Sequence, residues 1–180
     1  MKRLVIVLVL VASAGLNAKN LSGEEFYELV NDCLDYDNKA SCQRLIDSGQ
    51  LASVEECDKN TCSIIAFIYG DVVKNYYKAN AYYKTDCERF NSSLACYSVG
   101  QLYNEGKGVK QDFFTAKKYF EKACNLNLGD ACNSLGFLYS KGKGVKQNYS
   151  AAKKYYGKSC DLGDQMGCDN YKILNEQGIQ

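Results

Sequence analysis

Residues 96–131 read CYSVGQLYNEGKGVKQDFFTAKKYFEKACNLNLGDA, and residues 132–167 read CNSLGFLYSKGKGVKQNYSAAKKYYGKSCDLGDQMG. Laid over one another without a gap, about half of the 36 positions are identical. Self-similarity at this period marks a repeat array. A looser copy precedes them: residues 62–87, CSIIAFIYGDVVKNYYKANAYYKTDC, keep the Ile-Tyr, the Val-Lys, the small Ala79 and the Tyr-Tyr before the cysteine, but lack the two loop glycines. The segment from Glu24 to Cys57 is the most degenerate and reads as a shortened repeat.

Each repeat reads as two helices. Val99, Leu102 and Tyr103 stand at i, i+3 and i+4, one face of a first helix. Gly100 lies inside that helix and recurs as Gly136. A mid-helix glycine costs about 1 kcal/mol against alanine, so its return implies a second helix approaching closely. Asn104 to Val109 breaks the helix, with Gly106 suited to the left-handed residue that ends it. Asp112 and Asn148 suit N-caps for the second helix. That helix directs Ala116, Tyr119, Phe120 and Ala123 inward and Lys117, Lys118 and Lys122 toward solvent. The chain has no proline and little strand-like alternation. The fold class expected is all-α: helical hairpins stacked in a row.

The ten cysteines form five near neighbours: Cys33/Cys42, Cys57/Cys62, Cys87/Cys96, Cys124/Cys132 and Cys160/Cys168. In one continuous helix, residues eight apart would lie about 12 Å apart. A disulfide needs Cα atoms within about 7 Å. The pairs can therefore close only across a turn, and Asn91-Ser92, Gly129-Asp130 and Gly163-Asp164 supply a helix stop followed by an N-cap. Each staple then joins the second helix of one repeat to the first helix of the next, worth on the order of 2–3 kcal/mol. Zinc and a catalytic dithiol are the rival uses. The chain has no histidine and no Cys-x-x-Cys, so neither has its usual ligand pattern, and no metal or other cofactor is expected.

Disulfides point to an oxidising compartment. Residues 1–18 independently read as a cleaved signal peptide: Lys2 and Arg3, an apolar run from Leu4 to Val11, then cleavage candidates after Ala14 and Ala18. Eight apolar residues are too few to span a bilayer, which needs about 20. The brevity of the segment points to a bacterial protein, secreted or periplasmic. With Lys2 and Arg3 removed, 20 basic residues face 21 acidic ones, so no field favours nucleic acid or a membrane surface. The remaining organisation expected is 19–61 as a degenerate N-terminal capping repeat, 62–95 as a divergent repeat, 96–131 and 132–167 as full repeats, and 168–180 as a C-terminal capping helix, in a monomer.

The pattern Ala-Cys-x-x-Leu-Gly-x-Leu-Tyr, Gly-x-Gly-Val-x-x-Asp/Asn and Ala-x-x-Tyr-Phe/Tyr-x-Lys-x-Cys resembles the Sel-one-like repeat, a relative of the tetratricopeptide repeat. Its cysteine-bearing form is similar to the cysteine-rich secreted repeat proteins of the Helicobacter and Campylobacter group. The resemblance is close from Cys87 to about Tyr171 and loose from Cys62. It implies a right-handed superhelical solenoid of disulfide-bridged hairpins and a protein- or peptide-binding role. Carrying over the tetratricopeptide register implies a ligand groove of Phe67, Tyr97, Gln101, Asn104, Glu105, Asn133, Phe137, Ser140 and Lys141, continued by Asp169, Ile173 and Glu176. The ligand is left open among a host receptor, an envelope partner and a peptidoglycan fragment.

That cysteine-rich group also implies an alternative, a weak β-lactam hydrolase or penicillin-binding protein. The residues support it little. Without histidine there is no Ser-His-Asp triad. Ser-x-x-Lys occurs at Ser140/Lys143 and Ser150/Lys153 and Tyr-x-Asn at Tyr36/Asn38, but Lys-Thr-Gly is missing. No dedicated catalytic residue is assigned.

Overall fold

The computed structural model describes residues 23–34, 38–49, 51–59 and 61–179. The proposed signal peptide and Tyr36 lie outside these. The described helices are α1 (Gly23–Leu34), α2 (Lys39–Asp47), α3 (Thr61–Phe67, running into a π-helical turn Ile68–Val72), α4 (Tyr76–Phe90), α5 (Ser93–Glu105), α6 (Phe113–Asn125), α7 (Gly129–Lys141), α8 (Tyr149–Asp161) and α9 (Gln165–Glu176). No strand occurs among the described residues. The fold is all-α, made of helical hairpins of the solenoid type. It forms two compact units, Met1–Asp86 and Cys87–Gln180.

In the second unit the hairpins α5/α6 and α7/α8 repeat one another closely. Val99, Leu102, Leu135 and Leu138 are buried, as are Ala116, Phe120, Ala152 and Tyr156 from the second helices. The mid-helix glycines explain how tightly these faces meet. A Cβ on Gly100 would lie 2.5 Å from Phe120 ring atoms, and one on Gly136 would lie 2.5 Å from those of Tyr156. Beside each close approach two tyrosines stack across the hairpin, Tyr103 on Tyr119 at 6.2 Å and Tyr139 on Tyr155 at 5.4 Å. Such offset pairs add to the area they bury.

The loops follow their residues. Gly106 and Gly142 end the first helices in the left-handed region at φ 71° and 67°. Asp112 then caps α6 by accepting from the Phe114 and Thr115 amides, and Asn148 caps α8 by accepting from Ala151. In the first unit this loop is three residues shorter, counted from the preceding cysteine to the cap Asn75. There the first helix ends in the π-helical turn, and Lys74 supplies the positive φ, 62°, that glycine supplies elsewhere. The Asn75 side chain accepts from the Lys78 amide. Tyr69 and Tyr82 keep the stacked pair, with centroids 5.8 Å apart. Between α2 and α3 no helix forms among the described residues: Ser53 and Glu56 cap one another, and so do Asp58 and Thr61.

All ten cysteines are paired, as Cys33–Cys42, Cys57–Cys62, Cys87–Cys96, Cys124–Cys132 and Cys160–Cys168. Their Cα–Cα distances run from 4.4 to 5.1 Å. Cys42 opens into the second helix of its pair, as Cys96 and Cys132 do in theirs, and all three are buried with their partners Cys33, Cys87 and Cys124. Cys160 and Cys168 differ in being half-buried, because no further repeat covers the α8/α9 junction among the described residues. Cys57 departs from the pattern in another way: it lies in the non-helical segment before α3 and reaches Cys62 in that helix's first turn, so this bridge closes a loop onto a helix and joins no two helices.

Two of the turns between paired cysteines have the expected form. Asn91, at φ 53°, precedes the cap Ser92 between Cys87 and Cys96, and Gly163, at φ 88°, precedes the cap Asp164 between Cys160 and Cys168. The third differs from expectation. Gly129 and Asp130 already belong to α7; Asn127, at φ 62°, reverses the chain, and Leu128 stands at the cap position without a side-chain bond. Asn127 is the true positional equivalent of Gly163, 36 residues earlier.

Lys122 and Lys158 are not simply solvated. Lys122 Nζ donates to the Cys87 carbonyl at 2.7 Å, and Lys158 Nζ to the Cys124 carbonyl at 2.9 Å. Each reaches a carbonyl in the last turns of the preceding second helix, where a cation meets the negative end of the helix dipole; the Cys124 carbonyl also accepts from the Asn127 amide at 3.1 Å.

Candidate functional site

The first helices α5, α7 and α9 place the expected groove residues at equivalent positions. The outermost column is Gln101, Phe137 and Ile173: Gln101 is half-buried, whereas Phe137 and Ile173 are 41% and 50% exposed. Exposure of these two apolar side chains is not required by the core, because Gly136 and Leu138 beside Phe137, and Leu174 beside Ile173, already fill the buried side. Lys143 Nζ stands 5.4 Å from the Phe137 ring centroid and 5.0 Å from that of Phe113, so a cation borders the apolar surface. Met166, two turns before Ile173 on α9, is 57% exposed and was not among the expected residues.

The column Tyr97, Asn133 and Asp169 is more enclosed. The Tyr97 ring packs on Phe120 with centroids 5.7 Å apart, and its hydroxyl receives Gln101 Nε2 at 2.7 Å. Burial raises the Tyr97 pKa, and hydrogen bonds with Ser134 and Gln101 partly offset that rise. Asn133 accepts from Asn170 Nδ2 at 3.0 Å, which ties α7 to α9. Asp169 is exposed and accepts from Gln165.

At the helix ends, Glu105 pairs with Lys107, and Lys141 is exposed. Asn104 is half-buried, and its carbonyl accepts from Gln111. Ser140 departs from expectation. It is buried, its hydroxyl donates to the Phe137 carbonyl at 2.9 Å and lies 3.4 Å from the Tyr156 hydroxyl, so it faces the hairpin interior. Its position in the last turn rotates it from the Phe137 column toward the second helix. Phe67, half-buried, closes α3 in the first unit.

The Ser-x-x-Lys serines are not set up as nucleophiles. Ser140 is engaged as described. Ser150 is exposed in the first turn of α8, but Lys153 Nζ donates to the Ile179 carbonyl at 2.5 Å and lies 5.6 Å from the Tyr171 ring centroid. Asn38, of the Tyr-x-Asn match, caps α2 in the first unit. Among the described residues no group of three His, Cys, Asp or Glu is placed to hold a metal ion, and no helix is long and apolar enough to cross a membrane.

Comparison with known proteins places these features. The Sel1 repeat model matches residues 65–85, 93–128 and 129–164, just over half of the chain. A cytochrome c oxidase assembly factor 7 homolog of Drosophila melanogaster is 32% identical over 72 residues, 38% of this chain and 27% of that protein. The ERAD-associated E3 ubiquitin-protein ligase component HRD3 of Candida glabrata is 34% identical over 65 residues, 34% of this chain and 8% of that protein. The chain thus spans about a quarter or less of these relatives. Among solved structures, a Sel1 repeat protein from Oxalobacter formigenes superposes with a TM-score of 0.67 at 21% identity, over 84% of this chain and 61% of that one. Helicobacter pylori cysteine-rich protein B gives 0.49 at 29% identity, over 81% and 91% of the two chains.

Proposed function

The chain belongs to the Sel1 repeat family, and from that premise we propose that it is an exported binding module that holds a protein or peptide partner against its first helices. The observation that carries this reading is the pair Phe137 and Ile173: two apolar side chains one repeat apart, both exposed, on helices whose core positions are already filled. Apolar anchors at a regular spacing, bordered by the amides of Gln101 and Asn133, suit a partner that presents side chains and backbone groups together. The Drosophila relative is named for assembly of a protein complex and the Candida relative as a component of one, which supports a protein partner.

The five disulfides fit an oxidising compartment, and we assign the protein to the periplasm or the exterior of a bacterium. The same reading takes α9 as a cap. Lys172 and Asn175 stand where Gly136 and Tyr139 receive a second helix in the preceding repeat, and both are exposed. Solenoids need such a polar terminal face for solubility. β-Lactam hydrolysis is the weaker reading, because neither Ser-x-x-Lys pair is arranged for acyl transfer.

A photo-crosslinking residue at position 137 tests the groove, with Lys118, exposed on α6, as the control site. The expected result is an adduct with a partner from position 137 and none from 118, and Phe137→Ala weakening that partner's binding by about 1–3 kcal/mol. Equal adducts from both positions, or binding unchanged by Phe137→Ala in a folded protein, would reject this face.

A further inference from the structure

A second surface lies on the other helix of the last hairpin. Ser150, Lys153, Lys154, Gly157, Lys158 and Asp161 share one face of α8 and, with Tyr171 from α9, line a cavity of about 360 Å³. The sister helix α6 carries the same face with different residues. Phe114 stands at the position of Ser150 and Glu121 at that of Gly157, whereas all three lysines are kept, as Lys117, Lys118 and Lys122. On α6 two of these lysines have side-chain partners on the same face: Lys118 Nζ lies 4.6 Å from the Phe114 ring centroid, and Lys117 pairs with Glu121 at 3.0 Å. On α8 both partners are replaced, and the face's one carboxylate is Asp161, where α6 has Asn125. Serine leaves a hydroxyl in place of a ring, and glycine removes the carboxylate. The Tyr171 ring comes up against the vacated position, 3.3 Å from where a Cβ on Gly157 would stand.

The cations are held in place. Lys153 is anchored on the Ile179 carbonyl and Lys158 on the Cys124 carbonyl, and each ammonium keeps further N–H groups. The Lys154 ammonium is exposed and makes no hydrogen bond or ion pair among the described residues. Asp161 is the one acid in the lining. Three lysines, a hydroxyl and an aromatic face in a cavity of small-molecule size define a ligand chemistry.

We propose that this cavity binds a small organic anion, a carboxylate carried on an apolar body, with its charge on Lys154 and the Ser150 hydroxyl and its body against the Tyr171 ring. The site is on the second helix and does not rest on the groove proposed above. Charge-assisted hydrogen bonds supply the polar part, and Tyr171 discriminates an organic anion from an inorganic one.

The test is a titration of the oxidised, isotope-labelled full chain followed by amide NMR, with benzoate, benzyl alcohol and inorganic phosphate as probes. Benzoate is expected to shift resonances of 150–158 and Tyr171 saturably, with a dissociation constant on the order of millimolar, as befits so small a ligand. Benzyl alcohol and phosphate are expected to bind at least about tenfold more weakly, the first lacking the charge and the second the apolar body. Lys154→Gln should weaken benzoate about tenfold. Gly157→Glu, which restores the acid of the sister helix, should abolish the response; amide spectra of both variants check that they fold. No saturable benzoate shift at these residues, or undiminished binding in a folded Lys154→Gln variant, would overturn the site. Phosphate binding as tightly as benzoate would overturn the part assigned to Tyr171.

Discussion

Gly136→Ala is the substitution that most directly tests how the hairpins close. Helix propensity alone makes it stabilising by about 1 kcal/mol, since glycine is the poorest residue of a helix interior after proline. Packing opposes this. The new methyl would stand 2.5 Å from two ring atoms of Tyr156 and 2.9 Å from a third, the one nearest the backbone, so the ring cannot swing clear from its far end. Tyr156 is itself only 5% exposed, which leaves little room for it to move. Overpacking of this kind costs about 1–3 kcal/mol, and three simultaneous overlaps put it toward the upper part of that range. The net expectation is destabilisation by about 1–2 kcal/mol, opposite in sign to the propensity effect. Denaturant unfolding of the oxidised protein, followed by circular dichroism at the helical minimum, measures it. In a Tyr156→Leu background, where the ring is gone, the same glycine substitution should become neutral or stabilising, a coupling of about 1 kcal/mol or more. A Gly136→Ala variant as stable as the parent, or more so, with the ring present would refute the close approach as the reason for the recurring glycine.

Three further outcomes are expected. Replacing Cys124 and Cys132 by serine removes a short closed loop and should lower stability by about 2.5 kcal/mol, whereas mass mapping of the unreduced parent should return the five near-neighbour pairs; free thiols at two or more pairs would contradict this. Lys122→Met should lose about 1 kcal/mol through the unsatisfied Cys87 carbonyl, against little change for the exposed Lys118→Met; equal effects would show that the Lys122 contact contributes nothing. Tyr82 donates to the Ala52 carbonyl, and its pKa is pushed from 10.0 up to about 12 by burial first and then by Tyr69 and Glu55. Its folded-state proton is held more tightly than in the unfolded chain, so its contribution is intact below about pH 10 and is lost as pH rises from there through about 12. Ultraviolet titration of Tyr82→Phe against the parent should remove a late-ionising phenol and flatten the fall in stability over that window; identical pH profiles would count against the assignment.

The groove aromatics show how register and burial part company. The tetratricopeptide register places Tyr97 and Phe137 on the same surface, yet Tyr97 packs on Phe120 whereas Phe137 stays 41% exposed. Truncating Tyr97 should therefore approach the cost of a buried aromatic, roughly 3–5 kcal/mol, and truncating Phe137 should fall well below it. One is a core contact at the edge of the proposed groove, and the other is exposed as the proposed anchor would be.

The period of 36 residues, the two-helix repeat, the caps at Asp112 and Asn148 and the five cysteine pairs were legible in the chain, because each depends on local chemistry or on a spacing that repeats. A cap needs only its own first turn, and a near-neighbour disulfide only a turn between its ends. Other features depend on what another repeat brings near. The bonds from Lys122 to Cys87 and from Lys158 to Cys124 join residues about one repeat apart, and a lysine on a helix face reads as solvated until its acceptor is in place. Cys96 and Cys168 stand at the same repeat position, yet the first is buried and the second half-buried, because further hairpin helices follow the first and none follows the second among the described residues. Ser140 lies at an outward register position but is drawn inward by the Tyr156 side of the hairpin. The cavity on α8 had a signal in the sequence, the exchange of Phe114 for Ser150 and of Glu121 for Gly157 between otherwise similar helices. Only Tyr171, arriving from α9 against Gly157, turned those two absences into a lined space. Local periodicity fixes which faces of these helices are apolar; the depth of each side chain is decided by the neighbouring repeat, because burial is a property of two surfaces and the chain writes each of them separately.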